Sequence, residues 1–186
     1  MTNIYENNAI SALPRVLALF DESPVSKTQG VGDRYFWSWK GRDFANGTFQ
    51  GAVHGLACLT AKSLLPKGMS ELRMLERINY MISGTRSITR GDGSLDEILP
   101  FEKSFCVTAL VAFDILSALA LLHEKLTQKE IDEHLATVEP LINYILKNTE
   151  SHGVISNHLA AAIAALVKWQ QLTTANISNR VSQLTA

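Results

Sequence analysis

The chain has 186 residues, a length that fits one domain with a sizeable core. Hydrophobic residues make up 46% and charged residues 19%, which excludes a disordered chain. The net charge of −1 excludes strong electrostatic attraction to nucleic acid or to an anionic membrane.

Asn8 to Phe20 carries Ile10, Leu13, Leu17 and Phe20 at helical spacing, with Pro14 marking the start of this helix. Ser23 to Asn46 is a long connection, punctuated by Pro24, Gly30, Gly32 and Gly41 and holding Tyr35, Phe36, Trp37 and Trp39. Thr48 to Leu65 reads as a helix stopped by Pro66 and Gly68. Ser70 caps the next helix, which runs through Leu72, Leu75, Ile78, Met81 and Ile82. Arg90 to Pro100 is a loop around Gly91-Asp-Gly-Ser94. Glu102 to Lys125 is strongly apolar and reads as a buried helix. Thr127-Gln-Lys-Glu130 is a capping box opening a helix to about Asn148, which Pro140 should kink or split. His152 to Ser156 is a loop, Asn157 to Leu172 a last apolar helix, and Thr173 to Ala186 a polar, weakly amphipathic tail.

A polar loop followed by a helix of small apolar residues occurs three times, at Asp43–Ala57, Leu99–Phe113 and His152–Leu166. Aligning Phe49, Phe105 and His158 separates the copies by 56 and 53 residues, the mark of stacked helix pairs. Helices near Thr48, Glu102 and Asn157 carry few charges, whereas those near Glu71 and Gln128 carry many on one face. A bundle or a solenoid shows similar alternation. The expected fold is all-α: an incomplete α/α toroid of helical hairpins, about six or seven helices in a single domain over 1–186.

Cys58 and Cys106 lie in apolar helical patterns and read as buried free thiols. The first residues show neither the basic nor the apolar region of a signal peptide. The longest apolar stretch, Val107 to Leu122, contains Asp114 and is short for a bilayer. The expectation is a cytoplasmic protein without a membrane partner. No His-Glu-x-x-His, Cys-x-x-Cys, Gly-x-Ser-x-Gly or phosphate loop occurs, so no metal or cofactor is expected.

Three sets of residues are suited to chemistry. Asn157 and His158, at the start of an apolar helix, place amide and imidazole donors where a carboxylate is favoured; as a plain alternative, Asn157 caps the helix. Tyr35, Trp37, Trp39, Lys40 and Arg42 combine rings that stack on sugar faces with cations that hold acidic groups, or else fold the loop over the domain. Asp92, Asp96 and Glu97 are carboxylates suited to a glycosidase or to calcium, or else a solvated turn. His54 stands one turn into its helix and faces either a cleft or the core, while His123 and His134 read as exposed.

The stretches Asp33-Arg-Tyr-Phe-Trp-Ser-Trp-Lys40, Asp43-Phe-Ala-Asn-Gly-Thr-Phe-Gln50, Gly91-Asp-Gly-Ser-Leu-Asp-Glu97 and Ser156-Asn-His-Leu159 resemble the N-terminal helical part of heparinase II/III-like proteins, relatives of alginate and heparin lyases. The resemblance covers about residues 10 to 172. It implies an α/α toroid that a β-sandwich domain follows, and β-elimination on an acidic polysaccharide as substrate and partner. There an Asn neutralises the uronate carboxylate, a Tyr or His removes the proton beside it, and an acid protonates the leaving oxygen. Asn157 and His158 match the Asn-His position and are the implied catalytic pair. The family's base tyrosine and sandwich have no counterpart in these 186 residues. The resemblance therefore implies the substrate-holding half of a longer protein; the alternative is a non-catalytic helical module that binds carbohydrate or protein.

Overall fold

The structure, a computed structural model, describes residues 3–151, 156–173 and 182–184. The loop at 152–155 that begins the third segment copy, and most of the tail after Thr173, lie outside the described residues.

The fold is all-helical. Helix α1 spans Ile4–Leu17, earlier than its apolar spacing suggests, because Asn3 and Glu6 form a capping box. Pro14 therefore sits in the last turns of α1 rather than at its start. A short helix, α2 (Arg34–Trp37), interrupts the long connection. A tight turn at Gly47–Gly51, capped by Asn46, leads into α3 (Ala52–Ala61), so the expected single helix from Thr48 begins as a narrower coil and ends before Pro66. Ser70 caps α4 (Glu71–Ile88) as expected. Helix α5 spans Phe105–Leu122 with Ser104 as its cap. The Thr127–Glu130 capping box opens α6, Gln128–Lys147. Pro140 does not split α6, which runs on as one helix. Helix α7 spans Ser156–Leu172.

Helix α5 is the centre of the packing: it lies against α3, α6 and α7, while α4 packs on α3 and α6. Residues such as Val111, Ile115, Leu116 and Leu119 are fully enclosed, and they join Met74, Ile78 and Ile82 of α4 and Val138, Leu141 and Ile142 of α6 in one core. The segment Phe105–Lys125 is long and apolar enough to cross a membrane by those criteria alone, and 67% of its apolar 18-residue window is buried inside the fold. One stripe of α5 stays open, with Leu110 and Leu121 exposed and Cys106, Phe113 and Asp114 half-buried at helical spacing. Cys58 and Cys106 are free but half-buried, not enclosed as expected.

His134 overturns its expected exposure. It is 3% exposed, and Ile131, His134, Val138, Leu141 and Ile145 form the buried stripe of α6. Its Nε2–H donates to Asn79 Oδ1 (2.9 Å), and the Asn79 amide donates to Glu130 (2.8 Å), which ties α4 to α6. Burial lowers the imidazole pKa, against the pull of Glu130 and Glu133.

Candidate functional site

The loops before α3 and before α5 meet. The Gly47 N–H donates to the Asp96 carbonyl at 2.8 Å, and a cleft of about 320 Å³ opens between Phe36, Asp43 and Phe44 on one side and Thr89, Arg90 and Asp96 on the other. Both loops are held by carboxylates rather than by regular structure. Asp33 takes a left-handed conformation (φ 54°) and accepts from the Asn46 N–H at 2.9 Å. Phe101 and Lys103 are also left-handed (φ 63° and 54°), and their N–H groups both donate to Asp96 at 3.1 Å. Such conformations cost roughly 1–3 kcal/mol each, so the surrounding bonds must impose them.

Asp96 is 5% exposed and also receives Arg90 Nη1 at 2.7 Å, so its oxygens are committed to structure. The Arg90 guanidinium lies 4.1 Å above the Phe101 ring. The Glu102 carboxylate accepts from the N–H groups of Glu97, Ile98 and Leu99. Burial would raise the Asp92 pKa, but hydrogen bonds from Lys103 and Ser94 hold it down at about 2. Held that low, Asp92 stays ionised and is not the protonated carboxylic acid that a glycosidase pair needs.

In the first loop, Tyr35 and Trp39 are exposed and meet edge to face, with ring centres 6.1 Å apart. Arg42 sits between the Tyr35 and Phe44 rings, at 5.4 and 5.3 Å, and its Nε is 3.5 Å from Asp33. Lys40 is exposed and left-handed (φ 53°). Trp37 turns inward, and its Nε1–H donates to the Leu19 carbonyl at 2.8 Å, anchoring α2 to the end of α1. Tyr35, Trp39 and Arg42 are thus brought together, while Trp37 serves the fold.

His54 stands at the open face of α3, one-third exposed, with its Nδ1 3.0 Å from Asp114 Oδ1. Gly51 permits this approach, because a Cβ there would lie 2.5 Å from Asp114 Oδ2. Phe113 supports the ring edge to face at 5.8 Å. Burial raises the Asp114 pKa, and the His54 bond works against that rise. An ionised Asp114 fixes the tautomer with its proton on Nδ1 and leaves Nε2 as an acceptor. Sequence reasoning singled out His54 but missed Asp114 as its partner, 60 residues away.

At the third loop, Asn157 lies inside the first turn of α7 and is exposed, not the residue before the helix. His158 Nδ1 is 2.5 Å from Glu150, whose side chain is 2% exposed. Burial, Glu97 and Glu150 all raise the Cys106 pKa, which keeps that thiol protonated and unreactive. Among the described residues, no group of three His, Cys, Asp or Glu side chains is placed to hold a metal ion. An apolar groove of about 530 Å³ also runs between α1 and α3, past Ala9, Leu13, Ala52 and Leu59, but it lacks the convergent polar groups that would orient a sugar. Comparison with family models, with curated proteins and with solved structures finds no match.

Proposed function

We propose that this chain recognises an acidic polysaccharide, as the helical half of a polysaccharide lyase-like protein whose helices form an open α/α toroid. The observation that carries the reading is the meeting of the first two loops: exposed Tyr35 and Trp39, ring-flanked Arg42, and Arg90 beside a cleft. Rings of this kind stack on sugar faces, and guanidinium groups pair with carboxylates. In this reading Tyr35, Trp39, Lys40 and Arg42 contact the chain of sugars, and Trp37 holds their loop. Asn157 binds a uronate carboxylate and His158, braced by Glu150, donates to it. His54, oriented by Asp114, is the proton acceptor best prepared by its surroundings.

The packing of α3, α5 and α7 in sequence, with α4 and α6 against them, supports the toroid. Ultraviolet absorbance of unsaturated uronates, released from alginate and heparin-type polymers, tests the lyase reading on this chain alone and joined to downstream coding sequence. Activity only in the longer protein supports it. Activity in neither form, with oligosaccharide binding retained, favours the non-catalytic carbohydrate-binding module. Uronate binding unchanged in Asn157→Ala removes Asn157 from the site.

A further inference from the structure

A second pocket, lined by Arg34 and Trp37 of α2, concentrates positive charge. It encloses about 430 Å³ between the end of α1, α2 and the start of α4. Arg34, Arg73 and Arg77 all line it, against one carboxylate, Glu22. Arg77 is 9% exposed; it donates to the Leu17 carbonyl at 2.8 Å and pairs with Glu22. The Glu22 side chain is 69% exposed, so a mostly solvated carboxylate already occupies the anion position over a buried guanidinium. Arg34 lies near the Trp37 and Trp39 rings, at 6.0 and 5.9 Å, and no ion pair with a carboxylate is described for it or for Arg73. Arg34 and Arg73, both exposed and without an ion pair among the described residues, thus stand beside walls formed by Leu17, Phe20 and Trp37.

We infer that this pocket binds the phosphate monoester of a small organic molecule. Two such guanidinium charges match a dianion better than a carboxylate or a sulfate ester, which carry one. Guanidinium forks bind phosphate oxygens in pairs. The apolar walls take the organic body, and the volume is that of a small-ligand site. The same chemistry is offered by a soluble phosphate ester and by a phosphate lipid headgroup. The inference stands apart from polysaccharide recognition, since it uses neither Tyr35, Arg42 nor the third loop.

Phenyl phosphate is the probe, titrated while tryptophan fluorescence is followed, because Trp37 lines the pocket. Saturable binding tighter than that of phenyl sulfate or inorganic phosphate is expected. Arg73→Ala, at an exposed position that the fold tolerates, should weaken it about tenfold, and Glu22→Gln should strengthen it by removing the competing carboxylate. Co-sedimentation with phosphatidylcholine vesicles containing phosphatidic acid, abolished by Arg73→Ala, would assign the ester to a lipid headgroup; its absence alongside phenyl phosphate binding would assign it to a soluble compound. No saturable binding of either probe, or binding that Arg73→Ala leaves unchanged, overturns the inference.

Discussion

Replacing Gln50 by leucine should lower the melting temperature by about 6–12 °C. Gln50 is fully buried beneath the first loop. Its Oε1 accepts from the Gly32 N–H at 2.8 Å, and its Nε2 donates to the carbonyls of Met81 (2.7 Å) and Gly30 (3.2 Å) and to the Thr85 hydroxyl (3.1 Å). Leucine has a similar volume, so the cavity cost is small. The Met81 carbonyl keeps the Thr85 hydroxyl, whereas the buried Gly32 N–H and Gly30 carbonyl lose the side-chain partner that satisfies them. Two orphaned groups at about 1–3 kcal/mol each, less about 1 kcal/mol for added apolar burial, leave about 3 kcal/mol. A chain of this length loses about 2–4 °C per kcal/mol. Thermal unfolding followed by circular dichroism, with a repeat scan for reversibility, measures the effect. Gln50→Glu should be worse, because it sets a carboxylate against two carbonyls. A drop below about 2 °C for Gln50→Leu would refute the argument that this amide clamps the loop to α4.

Lowering the pH from about 7 to about 5 should reduce the urea midpoint, because unfolding frees the buried His134 to take up a proton. Its folded pKa lies below the ordinary value of 6.5, so the loss starts as pH falls through that value and levels off at the depressed one. The buried Nδ1 has no described partner to accept a second N–H, and His134→Gln should flatten the slope; an unchanged slope counts against the assignment. Gly93→Ala should cost about 2–4 kcal/mol in urea unfolding, since φ is +91° and a Cβ would lie 2.1 Å from the Pro140 carbonyl. Gly91→Ala, with open space around it, should cost under about 0.5 kcal/mol; equal costs would contradict that packing. Asp114→Asn should raise stability near neutral pH more than at acid pH. The folded pKa of Asp114 is raised from 3.8, so its ionised form opposes folding increasingly as pH rises through that range, and a gain independent of pH would contradict this sign.

Much of the helical architecture is legible from local signals, because caps and apolar periodicity act within a few residues. Ser70 and the Thr127–Glu130 box mark their helices correctly. Pro140 does not split α6 because the rest of the helix presents a strong apolar stripe whose packing outweighs one lost hydrogen bond. His134 misleads through its charged neighbours, although its spacing from Ile131 and Val138 already places it on that stripe. The candidate site is harder to read, since its pairs are distant along the chain. Nothing local joins His54 to Asp114, or tells the inward Trp37 from the exposed Trp39. Asp96 looks like a reactive carboxylate in sequence, yet it is spent on holding three loop groups in place.

The most direct test of polysaccharide recognition is calorimetric titration of this chain with uronate oligosaccharides and with neutral oligosaccharides of equal length. Binding of the acidic series alone is expected, weakened about tenfold by Trp39→Ala or Arg42→Ala, with the fold intact by circular dichroism. Equal binding of both series, no binding of either, or affinity for uronates that neither substitution changes would contradict it.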